Sequence, residues 1–259
     1  MRFLLLGHMV VSRGGVAIPL RSAKQRTLLA LLALNNRQPV TTDVIMGELW
    51  PEREQRASAS TLRTHILQLR KSISHEASGS QVHDILRAVS GGYLLADPEA
   101  RLDADEFSSL VAAGRRAARV GDHLTAGARF GEALALWRGP MLAGVPRGPR
   151  LESAARQFDE MRLLAHGHEA DIKLRLGQHH ETLPELARLA QDYPLDEGIA
   201  LRYMIALDRC GRRADALLHY QKLRRRLGED LGLDPSNRLE EVHSAILNVH
   251  TSIELPEFA

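Results

Sequence analysis

The sequence predicts an α+β chain: an amino-terminal winged helix-turn-helix followed by an all-α array of helical hairpins. Three observations carry this reading. Two β-prone pairs bracket three helical stretches in the first 97 residues, every segment beyond Pro98 is helical in pattern, and a 34-residue repeat runs through that second part. At 259 residues the chain is long enough for two cores. The expected division is 1–97 for the winged region, 98–250 for the helical array and 251–259 for a tail that matches neither pattern.

Taken in order, runs 3–11 and 16–20 are β-prone and flank Ser12-Arg13-Gly14-Gly15, which predicts a hairpin. Ser22 offers an N-cap to a helix over 23–35, where Leu28, Leu29, Leu31, Leu32 and Leu34 form a broad apolar stripe ended by Pro39. Thr41 or Thr42 caps a short helix over 43–49, stopped by Trp50-Pro51. A third helix follows in which Leu62, Ile66, Leu69 and Ile73 recur at steps of four, three and four. After a polar Ser/Gly segment, 85–89 and 93–95 are strand-like around Ser90-Gly91-Gly92, a second hairpin. Strands, three helices and a closing hairpin are the order of a winged helix, whose third helix enters the DNA major groove.

Charge points the same way. Residues 1–97 hold 12 Lys and Arg against 7 Asp and Glu, whereas 98–259 hold 22 against 25. A basic first part on a mildly acidic remainder suggests that only the first meets a polyanion. Between Glu54 and Glu76 there is no acidic residue at all, and the third helix lies in that gap.

On this helix Arg63, Thr64, Gln68 and Lys71 lie beside or opposite the apolar stripe and are the candidates for the groove. Arg can take guanine O6 and N7 together, and Gln can take adenine N6 and N7. Arg70 is read either as a phosphate ligand or as the partner of an acid within the domain. His65 is read as packing at the core edge rather than reading a base. Ser60 and Thr61 are expected to cap the helix, where its N-terminus also favours a phosphate. Lys24, Arg26 and Thr42, near the amino ends of the first two helices, are candidate backbone contacts. Arg87, Ser90, Gly91, Gly92 and Tyr93 are candidates in the wing, with a tight turn the plain alternative for the glycines.

In the second part Gly177 and Gly211 are 34 residues apart, and at the same offset Leu183 matches Leu217, Leu186 matches Tyr220 and Leu189 matches Leu223. That is the period of the tetratricopeptide hairpin, in which the glycine is expected at a close helix crossing and the leucines between helices. An earlier hairpin is expected over 105–119 and 122–137 with Gly121 at its turn, and 237–248, opened by Asp234-Pro235-Ser236, is the expected capping helix. Such arrays carry binding surfaces. Trp137 is expected as a buried anchor, and Arg224-Arg225-Arg226 as a solvated helix end or a partner-facing patch.

An enzyme is disfavoured. There is no Gly-Lys pair for a phosphate-binding loop, no Gly-x-Gly-x-x-Gly and no Gly-x-Ser-x-Gly. His166, His168, His179 and His180 lack the cysteines or carboxylates of a metal set, so neither metal nor cofactor is expected. Cys210 is the only cysteine, which suits a reducing cytoplasm. The apolar start over 1–8 is too short for a signal-peptide core, and a cytoplasmic, nucleoid-associated chain is expected. Lys occurs only at 24, 71, 173 and 222 among 34 basic residues, an arginine bias typical of GC-rich genomes and hence of actinobacteria.

The chain resembles the Streptomyces antibiotic regulatory protein family, which joins an OmpR-type winged helix to a bacterial transcriptional activation domain. Ala23-Lys24-Gln25-Arg26-Thr27-Leu28-Leu29 and Thr61-Leu62-Arg63-Thr64-His65-Ile66-Leu67-Gln68-Leu69-Arg70-Lys71 carry the resemblance in the first part. Trp137-Arg138-Gly139-Pro140 and Leu231-Gly232-Leu233-Asp234-Pro235 carry it in the second. The resemblance implies an activator of a secondary-metabolite gene cluster. It further implies paired protomers on direct repeats of double-stranded DNA near promoter −35 elements, and recruitment of RNA polymerase through its sigma and alpha subunits. Leu67 departs from the pattern, standing where OmpR-type helices often have a polar residue; it meets either a thymine methyl or the wing. The alternative is a tetratricopeptide adaptor whose winged domain does not bind specific DNA, which predicts affinity with little salt dependence.

Overall fold

The computed structural model describes residues 1–35, 38–51, 59–75 and 85–248. The tail expected at 251–259, most of the polar segment before the wing, and the acid-free residues before Ala59 lie outside these. The chain packs as two compact units: Met1–Ser109 with Ala133–Arg162, and Leu110–Glu132 with Leu163–Ala259.

In the first unit β1 (Arg2–Leu4), β2 (Val10–Arg13), β3 (Val16–Ala17) and β7 (Arg101–Leu102) form a sheet of order β3-β2-β1-β7. The run over 3–11 is therefore not one strand. It folds back between Leu4 and Val10, so that Phe3 faces Val11 across an antiparallel pair. Gly7, at φ 144, takes a backbone conformation there that alternation of side chains does not reveal. The turn at Gly14 and Gly15 joins β2 to β3 as expected.

Next come α1 (Ala23–Leu34), β4 (Val40–Thr41), α2 (Thr42–Leu49) and α3 (Ala59–His75). The wing follows as β5 (Leu86–Val89) and β6 (Gly92–Leu95). At the start of α1 Gln25 accepts a hydrogen bond from the Ser22 amide, and Leu28 to Ala33 are all buried. Thr41 is the cap of α2, its hydroxyl accepting from the Val44 amide at 3.4 Å. A second sheet runs β4-β6-β5, so two residues ahead of α2 fasten the wing to the helical core.

Helices α4 (Asp103–Arg119) and α6 (Pro149–Arg175) each contribute to both units, and α5 (His123–Ala135) lies between them in sequence. Trp137 is a buried anchor within the first unit, edge-on to Phe107 at 5.5 Å with the Arg162 guanidinium 4.6 Å over its ring.

The second unit adds α7 (His179–Asp192), α8 (Glu197–Arg209), α9 (Arg213–Arg226), a π-helical turn (Leu227–Leu231) and α10 (Asn237–Leu247). Leu186, Met204, Ile205, Tyr220, Leu223, Leu239 and Val242 share one core, and the partly buried Leu183 and Leu217 pack against it, so these repeat positions fill the layer between hairpins. The repeat glycines have another reason than the one expected. Gly177 and Gly211 sit in turns at φ 79 and 75 with nothing within 4 Å of an added Cβ. Backbone conformation, not a close helix crossing, selects them. Asp171, almost wholly buried, receives both arms of Arg202 at 2.9 and 2.7 Å and ties α6 to α8.

Candidate nucleic-acid interface

Helix α3 buries Leu62, Ile66, Leu69 and Ile73 and holds no acid along its 17 residues. The outward side that remains presents Arg63, Thr64, Leu67, Gln68 and Lys71, all exposed. Arg63, Leu67 and Lys71 follow one another at steps of four and form a single line along the helix. Among the described residues neither Arg63 nor Lys71 has an ion pair to a carboxylate. Thr64 donates its hydroxyl to the Ser60 carbonyl at 3.1 Å, which leaves its methyl and oxygen lone pairs on the surface. Ser60 and Thr61 were expected as caps. The helix is already formed at Ala59, so both lie within it, exposed near its amino end.

Arg70, read either as a phosphate ligand or as the partner of an acid, has an internal partner in the wing. Its guanidinium donates through Nε and Nη2 to the Leu86 carbonyl at 3.2 and 2.8 Å. That fork ties α3 to the first strand of the wing.

His65 packs at the core edge as expected, its ring 5.8 Å from that of Trp50. Burial first, and the Lys24 ammonium second, hold its imidazole below the usual histidine range. It is neutral near pH 7 and supplies no cation. The candidate backbone contacts near the first two helices are also engaged internally. Lys24 donates to the Leu49 carbonyl at the end of α2 and lies 5.1 Å over the Trp50 ring. Arg26 donates to the Leu20 carbonyl at 3.1 Å. The Thr42 amide and hydroxyl both donate to the Gly91 carbonyl, at 2.9 and 3.2 Å.

These last bonds hold the wing turn. Val89 faces Gly92 across a two-residue loop of Ser90 and Gly91, with Gly91 at φ 76. Gly92 is required for a different reason: a methyl there would collide with the Val40 carbonyl of β4. Arg87, Ser90 and Gly91 are exposed, and Tyr93 is half-buried. Thus Gly91 shapes the turn and Gly92 admits β4, while Ser90 in the turn and Arg87 on β5 are exposed.

The buried carboxylates Glu48 and Asp103 escaped the sequence reading. Glu48 on α2 accepts from the amides of Gly148 (2.7 Å), Arg150 (2.8 Å) and Leu151 (3.1 Å). It thereby satisfies the free N–H groups at the start of α6, where Pro149 has none to offer. Asp103, the first residue of α4, accepts from the amides of Leu5 and Leu6 at 2.7 and 3.1 Å and from Arg138 at 3.2 Å. An Asp opening a helix was a visible signal for the second; nothing local announces the first. Of the four histidines considered for metal, His166 faces Glu185 at 3.3 Å and His168 stacks on Phe130. Among the described residues no three potential ligands converge, and no helix is long and apolar enough to cross a membrane.

With this geometry in hand, comparisons with known proteins divide the chain between two families. A model of the bacterial transcriptional activator domain matches residues 102–247, and one of the transcriptional regulatory protein, C terminal, matches 17–95. The regulatory protein DnrI of Streptomyces peucetius is 36% identical over 257 residues, covering 98% of this chain and 94% of that one. The regulatory protein AfsR of Streptomyces griseus is 32% identical, and the match spans 99% of this chain but 25% of AfsR. Among solved structures, EmbR of Mycobacterium tuberculosis in complex with a low affinity phosphopeptide overlays with a TM-score of 0.88 at 29% identity, covering 97% of this chain and 66% of EmbR.

Proposed function

Because the chain belongs to the Streptomyces antibiotic regulatory protein family, and is a DNA-binding transcriptional activator and not an enzyme, we propose that it activates a secondary-metabolite gene cluster from direct repeats near the promoter −35 element. Paired protomers occupy the repeats in the cytoplasm, and the helical region engages the sigma and alpha subunits of RNA polymerase.

The observation that carries the reading is the acid-free outer side of α3, with Arg63, Thr64, Gln68 and Lys71 exposed around a buried apolar seam. Cations and amides on a helix flanked by a wing are what major-groove readout needs. Ser60 and Thr61 take phosphate near the helix start, and Arg87 with the Ser90–Gly91 turn takes backbone beside it. Arg70, Lys24, Arg26 and Thr42 hold the frame that sets their spacing. Their bonds to the carbonyls of Leu86, Leu49, Leu20 and Gly91 support that role.

Footprinting with polymerase on DNA from the gene's own neighbourhood tests the proposal. It should protect two direct repeats adjoining the polymerase boundary, with affinity falling steeply as salt rises. Arg63→Ala should cost about 1–3 kcal/mol on the best site and relax base preference at one position. Sequence-blind, salt-insensitive binding would favour the adaptor reading instead.

A further inference from the structure

Leu67 is the apolar member of an otherwise polar helix side. It is 53% exposed, and the seam of α3 at Leu62, Ile66, Leu69 and Ile73 is closed without it. Single exposed leucines are ordinary on protein surfaces. What sets this one apart is its position. It stands midway between Arg63 and Lys71 on one line, with Thr64 three residues before it and Gln68 next to it. When that side of α3 enters a groove, Leu67 sits at its centre and loses its water whatever lies opposite. A base edge there that offers only donors and acceptors would be desolvated against methyl groups and left unsatisfied. The major groove presents one apolar group that avoids this, the C5 methyl of thymine.

We propose that Leu67 is a specificity-determining residue that selects thymine by packing on its C5 methyl. The selection is flanked by the polar contacts of Arg63 and Lys71, four residues to either side. This rests on the DNA-binding reading given above and adds one base preference to it. It also distinguishes this chain from a helix with a polar residue at that position, which would favour a hydrogen-bonding edge instead.

Replacing thymine by deoxyuridine removes the methyl and leaves every Watson–Crick and groove hydrogen-bonding group in place. The full chain is first footprinted to define its site. Each thymine in the protected region is then replaced singly by deoxyuridine, and binding is measured for the wild type, Leu67→Ala and Leu67→Met. At one or two positions per half-site the wild type should bind the deoxyuridine DNA about fourfold more weakly, the worth of one buried methyl. In Leu67→Ala that ratio should fall to about one at the same positions, and in Leu67→Met it should persist, since Met also fills an apolar contact. Leu67 is outside the core, so both variants should melt with the wild type.

Any effect of deoxyuridine on DNA shape would be shared by wild type and Leu67→Ala. A ratio that survives in Leu67→Ala therefore assigns the methyl to another side chain and overturns the proposal. Specific binding with no sensitive thymine also overturns it, while leaving the DNA-binding reading intact. Binding without sequence preference overturns both.

Discussion

Glu48→Gln isolates a charge that holds α2 to the start of α6 without changing the shape of the side chain. In the wild type the carboxylate accepts three backbone N–H bonds at 2.7, 2.8 and 3.1 Å and is only 3% exposed. Gly148 and Leu151 share one oxygen, and Arg150 has the other. A glutamine can keep its carbonyl toward Gly148 and Leu151, but its amide N–H₂ then faces the Arg150 N–H, donor against donor. The variant loses one charge-assisted hydrogen bond, about 1.5–3 kcal/mol, and turns a buried donor away from any acceptor. It also loses the favourable meeting of an anion with a helix N-terminus, about 1–2 kcal/mol where partly buried. Because neighbouring terms do not simply add, the expected destabilisation is about 2–4 kcal/mol. Urea titration at neutral pH should read this as a lower midpoint with an unchanged slope for the transition that reports the first unit. A loss under about 0.5 kcal/mol, the scale of a neutral surface change, would refute the charge argument and reduce Glu48 to a space-filling side chain.

Other perturbations test separate parts of the structure. Gly92→Ala forces β4 away from β6 because the added methyl meets the Val40 carbonyl; the expected cost is about 1–3 kcal/mol, the usual range for overpacking, and faster hydrogen exchange at Thr42 and Tyr93 checks it. His168 is pushed down to about 4, by burial first and then by the charges of Arg115 and Arg202. Between its ordinary value of 6.5 and about 4, the unfolded chain therefore binds a proton at this site that the folded chain does not. Stability should fall as pH falls through that window, and urea titrations at both ends should show a smaller drop in His168→Asn than in the wild type; equal drops would refute it.

How far the fold could be read ahead differs from element to element, for physical reasons. Helix α3 was legible because its period of apolar residues and its missing acids are both local. The wing was legible because two glycines between β-prone runs have few other uses. The split of 3–11 into β1 and β2 was not, since it depends on the backbone folding back at Gly7, which alternation of side chains does not show, and the pairing of β7 with β1 comes from about a hundred residues away. The role of Gly92 has the same character: the turn could be read from the sequence, but the approach of β4 that excludes a methyl could not. The placement of the candidate site residues divides along this line too. Arg63, Thr64, Gln68 and Lys71 depend only on helix phase, and phase is written in the sequence. Arg70, Lys24 and Arg26 have guanidinium or ammonium groups whose targets are carbonyls at distances that no spacing rule encodes. A basic residue near a DNA-facing helix has two possible uses, and only the fold says which carbonyls are within its reach.

The compact first unit also changes what a fragment of this protein should do. Cutting after Asp97 removes Asp103, and with it the acceptor for the Leu5 and Leu6 amides just after β1. It removes the three amides that satisfy Glu48 and the Pro146 carbonyl that accepts from Thr27 at 2.7 Å. Glu48 must then find water, so α2 has to loosen where it was closed. The exposed side of α3 uses none of these groups, and the Arg70 fork to Leu86 stays inside the fragment. A chain of residues 1–97 should therefore keep base preference, read by footprinting on the site of the full chain, but bind more weakly because part of its population is loosened. A longer fragment through Arg162 keeps every one of these bonds and should recover the thermal stability of the first unit. The comparison is decisive in one direction: if 1–97 unfolds at the same temperature as 1–162, then Glu48 and Asp103 do not hold the winged region, and the residues 133–162 packed in this unit contribute nothing to it.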